Sequence, residues 1–268
     1  MKKYNAEILN FDGTNESTSL SISESLSYLE SDKANVVLLD ILSDTVAESW
    51  WQDKNFPDLN SHKFHTSLRA TGITLGQLQR TEGCNFVKKM DQYFESSKNL
   101  NKGLKKTKFI EFLSQEANAT TYKLNDEREF MLATKRSYPR YTGDKPFSFA
   151  PHCDVISFAR DPELWPLEEP KKQYGVFLTI QGAVNESAFT LWDHKPASRE
   201  ELDKISKEYE KNHNVGILNQ SQSISVVTKP GQLCLFNSRA LHAIDKCESE
   251  RRTIGTFLIN NNGWKICH

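Results

Sequence analysis

Residues 150–155 read Ala-Pro-His-Cys-Asp-Val and carry an imidazole and a carboxylate two positions apart. Alternate side chains of an extended strand point to the same face, so His152 and Asp154 can converge on one point. A third ligand from another strand would complete a metal site. His242 is the best candidate, because it follows a turn and a predicted buried strand over residues 230–237.

Two histidines and one carboxylate on one side of a metal leave the opposite coordination positions open. This facial arrangement is typical of non-haem Fe(II) oxygenases. The same three side chains could instead hold Zn²⁺ with water in the open positions, as in a hydrolase. A third interpretation is a non-catalytic jelly-roll binding module with a vestigial site. The residues around the motif decide between these interpretations.

A second motif begins nine positions after His242 with Arg251, Arg252 and Thr253, and continues into β-branched and apolar residues. This composition predicts a strand that starts with two guanidinium groups. An arginine at the mouth of a barrel can bind a carboxylate through two parallel hydrogen bonds. The motif therefore adds an anion-binding group to the candidate metal site.

With both motifs, the protein resembles the 2-oxoglutarate- and Fe(II)-dependent oxygenases, whose pattern is H-x-D, a distant His, and then an Arg followed by a hydroxyl residue. The resemblance implies Fe(II), 2-oxoglutarate and O2 as cofactor, cosubstrate and oxidant. It also implies that the arginine binds the distal carboxylate of 2-oxoglutarate. Arg251 with Thr253 fits, because strand alternation puts both on one face. Arg252 is the alternative, and Arg140 is a further candidate to assist the cosubstrate.

The size of the protein, the 90 positions between the two histidines and the short step to the arginine most resemble one bacterial subgroup. It includes an N-succinyl-leucine hydroxylase and the hapalindole-type alkaloid halogenases, which act on free-standing small molecules. The halogenases carry Gly in place of the triad carboxylate, which opens a position for halide. Because Asp154 is retained, the resemblance implies hydroxylation of an unactivated C–H, with release of succinate and CO2. The substrate could be an amino acid, an amino-acid derivative or an alkaloid-like metabolite.

Short strands separated by Pro, Gly, Asn and Asp turns predict an antiparallel sandwich or barrel over residues 126–268. The resemblance implies an α+β fold whose core is a double-stranded β-helix, or jelly roll. Residues 1–125 are predicted to supply flanking helices, within a single domain over residues 1–268. A further helix, capped by Ser198, is predicted inside an insertion between core strands, either as a lid over the substrate or as plain decoration.

Seven side chains near the motifs are candidates for the walls of a substrate pocket. They are Arg136, Tyr138, Arg140, Phe147, Phe149, Phe158 and Trp192.

The composition argues against several classes of partner. With 34 basic and 35 acidic residues, the formal charge of −1 creates no field that would favour nucleic acid or an anionic membrane. No apolar run approaches the roughly 20 residues needed to span a bilayer. The first residues lack the apolar core of a signal peptide, and five cysteines without a C-x-x-C pair favour free thiols. We therefore expect a cytoplasmic protein that acts on a small molecule, in an oligomeric state that the sequence leaves open.

Overall fold

The structure is a computed structural model that describes residues 8–12, 21–59, 68–183, 188–213 and 215–268. Its strands are β1 (Ile8–Asp12), β2 (Val36–Asp40), β3 (Arg69–Ala70), β4 (Thr120–Thr121), β5 (Thr134–Tyr138), β6 (Phe147–His152), β7 (Lys172–Gln181), β8 (Phe189–Trp192), β9 (Ser223–Val226), β10 (Gln232–Phe236), β11 (His242–Asp245), β12 (Arg251–Asn260) and β13 (Trp264–Cys267). Its helices are α1 (Ile22–Glu30), α2 (Asp44–Trp51), α3 (Leu75–Gln79), α4 (Cys84–Leu104), α5 (Lys108–Glu116), α6 (Arg199–Asn212) and α7 (Gly216–Gln220).

The strands form a large and a small sheet. The large sheet has the order β1-β2-β10-β7-β12-β13-β4, with β5 added on β12 and β3 on β5, and the small sheet has the order β6-β11-β8-β9. All pairings are antiparallel except β1 with β2 and β4 with β13. Aromatic side chains of the two sheets pack against each other in the space between the sheets. The ring centroids of Phe177 in β7 and Phe189 in β8, for example, lie 5.5 Å apart. Two facing, mainly antiparallel sheets confirm the predicted α+β class with a jelly-roll core.

The helices α1 to α5 cover the other face of the large sheet. Alternation along β2 sends Val37 and Leu39 into the core beneath the helices, whereas Val36 and Leu38 face the small sheet. This two-sided burial explains why β2 is a continuous apolar run. The N-terminal part therefore contains strands as well as helices, because β1 and β2 extend the large sheet at one edge.

The inserted helix α6 covers the outer face of the small sheet. It begins where predicted, because the Glu201 backbone N–H donates to Ser198 Oγ at 3.3 Å. Its buried residues, among them Leu202, join a cluster that includes Trp192 and Ala243. The neighbouring residues of β8 and β11, such as Leu191 and Ile244, point to the opposite face of the small sheet, toward the large sheet. The helix thus packs against the small sheet from outside.

Among the described residues, no helix combines the length and the apolar character that crossing a membrane requires.

Candidate active site

Two histidines come together because their strands are paired. His152 ends β6, His242 begins β11, and the two are cross-strand partners whose ring centroids lie 4.2 Å apart. Each ring has its Nδ1 close to the carbonyl oxygen two residues earlier, at 2.8 Å from Ala150 O and 2.9 Å from Ala240 O. A carbonyl only accepts, so both Nδ1 atoms carry the proton. Both Nε2 atoms are left with a lone pair for a metal.

Asp154 completes the group, although the expected strand alternation does not place it there. Strand β6 ends at His152, and Asp154 lies in the loop beyond. That loop is held by its own contacts: the Asp154 backbone N–H donates to Ser238 O at 2.9 Å, and Gln173 Nε2 donates to Asp154 O. Oδ2 lies 3.3 Å from His242 Nε2, and Oδ1 lies 3.9 Å from His152 Nε2. One ligand atom from each residue falls within 4.8 Å of the others.

The charge states of this group suit a divalent metal. Burial, and then the adjacent His242, lower the pKa of His152 to about 3, so this imidazole is neutral near pH 7. Burial alone would raise the pKa of Asp154, but the two imidazoles and Arg136 outweigh it and hold that pKa below its ordinary value. Neutral nitrogen and ionised oxygen donors without thiolate fit Fe(II). Three ligands from one side leave further coordination positions open.

The three side chains lie in a cavity between the two sheets. Its empty volume, including the space open to solvent at the mouth, is about 1070 Å³. The walls come from both sheets, and α3 with the residue that follows it, Arg80, contributes to one side.

Arg251 and Thr253 also line the cavity, as strand alternation predicts. The Arg251 side chain is 1% exposed, and its guanidinium lies 5.3 Å from the ring centroid of Phe177 and 5.8 Å from that of Tyr138. Nη2 donates to Thr228 Oγ1 at 3.5 Å, whereas Nη1 is buried without a hydrogen-bond partner among the described residues. Burial lowers the pKa of Arg251. A buried donor without an acceptor is costly, so this position fits an anionic ligand.

Arg252 and Arg140, the other two candidates for binding the cosubstrate, do not line the cavity. Arg252 points to the opposite face of β12, where its Nε donates to Gln181 Oε1 at 2.7 Å and its Nη2 donates to Glu48 Oε2 at 2.9 Å. Its guanidinium also lies over the ring of Trp51. These groups already provide partners for the guanidinium of Arg252. Arg140 lies beyond the end of β5 and is exposed to solvent.

Of the proposed wall residues, Arg136, Tyr138 and Phe149 line the cavity. Phe147, Phe158 and Trp192 pack instead in the cluster beneath α6, on the outer side of the small sheet. Simple alternation would put Phe147 and Phe149 on one face. The strand register shifts between these two residues. Ile244 and Asp245 are adjacent in β11, yet they pair with Phe149 and Phe147, which are two positions apart in β6. This β-bulge turns the two rings to opposite faces.

The cavity lining also includes residues that the sequence did not single out, among them Arg80 and His268. Arg80 follows a five-residue helix, and His268 follows the short strand β13. Neither belongs to a motif that carries a chemical signal, so only the tertiary arrangement identifies them.

The protein is similar to known oxygenases over nearly its whole length. Residues 46–264 match the family described as carrier-protein-independent halogenase WelO5. A crystal structure of an N-substituted L-amino acid dioxygenase from Burkholderia ambifaria AMMD is 37% identical, with a TM-score of 0.84, and the match covers 97% of both proteins. A structure of such a dioxygenase from the same organism in complex with α-ketoglutarate is 35% identical, with a TM-score of 0.81 and the same coverage. No curated protein matches the sequence.

Proposed function

The chain belongs to the WelO5 family within the 2-oxoglutarate- and Fe(II)-dependent oxygenases, and on this premise we propose that it hydroxylates an unactivated C–H bond of an N-substituted amino acid. It is a 2-oxoglutarate-dependent non-haem iron oxygenase, which uses Fe(II), 2-oxoglutarate and O2. One observation carries the specific proposal: a His, Asp, His group and a buried, incompletely paired arginine share one cavity.

In this proposal His152, Asp154 and His242 hold Fe(II), and Arg251 with Thr253 binds the distal carboxylate of 2-oxoglutarate. The metal with its cosubstrate supplies the oxidising power. The protein supplies the geometry. The sheet pairing fixes both imidazoles, and the loop contacts fix the carboxylate.

Hydroxylation is favoured over halogenation because of Asp154. Its carboxylate lies beside both imidazoles, where it would take a coordination position that a halide would need. The family is described by a halogenase. The resemblance implies that the halogenases carry Gly where this protein has Asp154. The dioxygenase structures, which match at 37% and 35% identity, are named for oxygenation.

The substrate class is inferred from the similar dioxygenase and from the charge at the cavity mouth. Arg80 lines the mouth and has no ion-pair partner among the described residues. The Arg160 backbone N–H donates to Gln79 O at 3.0 Å, which places a second arginine next to it. Arg160 and Arg199 share the carboxylate of Asp203, at 3.1 Å and 2.8 Å. Arg160 also pairs with Glu82, at 3.6 Å. Arg80 is therefore the cation left without an ion-pair partner here among the described residues, and it fits an N-substituent that itself carries a negative charge.

We also propose that the enzyme acts in the cytoplasm on a free small molecule. Cys153, Cys234 and Cys267 are buried free thiols, as expected for a reducing compartment.

The test is release of succinate from 2-oxoglutarate by purified enzyme, with and without N-acyl amino acids. We expect release that requires both Fe(II) and O2, that N-acyl amino acids stimulate, and that yields a product one oxygen heavier. Activity with Zn²⁺ in place of Fe(II), without succinate, would support a hydrolase instead. Absence of any stimulated turnover across N-acyl amino acids would overturn the proposed substrate class.

A further inference from the structure

A second arginine lies inside the cavity, with its guanidinium farther along β12 than Arg251. Arg136 is on β5, paired with Thr253 of β12. A Cβ built on Gly255 would lie 3.6 Å from Arg136 Nη1, so the guanidinium lies over the strand four residues beyond Arg251. Nη2 lies 3.4 Å from His268 Nε2. This part of the cavity is thus formed by Arg136 and His268.

His268 is held rigidly behind that guanidinium. The residue is 1% exposed, and its ring stacks on Phe257 with centroids 5.5 Å apart and planes 14° apart. Its backbone N–H donates to Met131 O at 2.6 Å, and its backbone oxygen accepts from Tyr93 Oη. A guanidinium only donates, so Nε2 is the acceptor and Nδ1 carries the proton. Burial, and then Arg136, lower the pKa of His268 well below its ordinary value.

A neutral imidazole can orient Arg136 but does not compensate its charge. Among its charged side chains, the described cavity lining has three arginines, Arg80, Arg136 and Arg251, against one carboxylate, that of Asp154, whose pKa Arg136 helps to lower. Asp154 belongs to the metal group, Arg251 to the cosubstrate and Arg80 to the mouth. Arg136 therefore remains as a cation without an ion-pair partner among the described residues. His268 Nδ1 is likewise buried without a hydrogen-bond partner there. Such an uncompensated pair of donors fits an anionic ligand.

We propose that Arg136, oriented by His268, binds the α-carboxylate of the amino-acid substrate. The inference rests on the proposed function and deepens it. The substrate carbon that reacts at the metal is only a few bonds from the α-carboxylate, so that carboxylate must also lie inside the cavity. The N-substituent then extends outward to Arg80. Arg136 is a binding residue in this arrangement, and His268 is a positioning residue.

The test compares a carboxylate with its uncharged isostere. Wild-type enzyme loaded with Mn(II) and 2-oxoglutarate, without O2, is titrated calorimetrically with N-succinyl-L-leucine and with the same molecule as its α-carboxamide. A charge-assisted pair predicts roughly 10- to 100-fold tighter binding of the acid. Arg136→Gln should bind the acid and the amide alike. Its affinity for 2-oxoglutarate, titrated without the amino acid, should stay within roughly threefold of wild type.

Two further variants guard against misfolding and separate the roles. Arg136→Lys keeps the charge and should retain part of the preference for the acid. His268→Phe keeps a ring to stack on Phe257 but loses the acceptor, so it should reduce the preference, and His268→Gln should restore it. Arg128→Gln removes a partly exposed arginine outside the cavity, which is paired with Asp126 and lies over the ring of Phe94, and it should keep the wild-type preference for the acid.

An Arg136→Gln enzyme that keeps the wild-type preference for the acid overturns the inference. So does a variant that loses 2-oxoglutarate affinity and keeps that preference, since Arg136 would then serve the cosubstrate. A wild-type enzyme that releases succinate with the acid but prefers the amide overturns the inference alone. Failure of the wild type to bind either molecule, or to turn over any N-acyl amino acid, overturns the proposed function as well.

Discussion

His152 and His242 are 90 positions apart in the sequence, yet they are cross-strand partners whose ring centroids lie 4.2 Å apart. Each imidazole contacts the carbonyl oxygen two residues earlier, so both rings have the same tautomer. The register of β6 against β11 therefore prepares two metal ligands before any metal binds. Asp154 adds the third from a loop that Gln173 and Ser238 hold in place.

Removal of one ligand should abolish metal binding. We expect His152→Ala to lose bound Fe(II) or Mn(II) and all succinate release, because two remaining ligands hold a divalent ion weakly. Metal content after dialysis is the measurement. The control is His194→Gln, since His194 contacts Glu201 outside the cavity and should not affect the metal. Full metal content in His152→Ala would show that the ligands are elsewhere.

The two neighbouring arginines should differ in their effect on the cosubstrate. Arg251→Gln should weaken 2-oxoglutarate binding by about two to three decades, because loss of a buried charge partner costs roughly 3–5 kcal/mol. Arg252→Gln should leave that affinity unchanged. It should lower stability by about 1 kcal/mol or less, since its partner Glu48 is partly exposed. Titrations with 2-oxoglutarate and thermal unfolding of both variants measure these effects. A larger loss of 2-oxoglutarate affinity in Arg252→Gln than in Arg251→Gln would contradict the assignment.

The product should contain added oxygen and no halogen. Asp154 would take a coordination position that chloride would need, so we expect a mass gain of one oxygen even in chloride-rich buffer. Mass spectrometry of the wild-type product is the measurement. Asp154→Gly is the companion variant, which would open that position if it still binds metal. A chlorinated main product from the wild type would mean that Asp154 is not a ligand.

Arg80 should select for acidic N-substituents. We expect Arg80→Gln to raise the KM for N-succinyl-L-leucine by roughly tenfold, the effect of one charge-assisted contact at a partly exposed site. The KM for N-acetyl-L-leucine should change little, because an acetyl group carries no charge. Steady-state kinetics with both compounds measure the difference. Equal effects on the two would argue against a role for Arg80 in this selection.

Gly231 should be far less tolerant of a side chain than Gly83. Both have positive φ, +79° and +60°, a strained backbone for an alanine that costs on the order of 1–3 kcal/mol. A Cβ on Gly231 would also lie 2.0 Å from Leu42 O, whereas nothing lies within 4 Å of one on Gly83. Gly231→Ala should therefore lose at least about 2 kcal/mol more stability than Gly83→Ala. Denaturant unfolding of the two variants measures this difference, and equal losses would contradict it.

The sequence by itself predicted the features that depend on local geometry. The Ser198 cap predicted the start of α6, because capping needs only the next three residues. The parity of Arg251 and Thr253 predicted that both face the same way, because alternation is a property of a single strand. The H-x-D pattern, the distant histidine and the following arginine were sufficient to indicate the class of enzyme.

Only the tertiary structure decided the features that depend on contacts between distant segments. Asp154 meets the histidines from a loop, and a bulge in β6 separates Phe147 from Phe149. Arg80 and His268 reach the cavity from a short helix and from beyond β13. Register and bulges depend on which strands pair, and pairing is set by burial across the whole protein. A local sequence pattern does not specify which distant segment it will pack against.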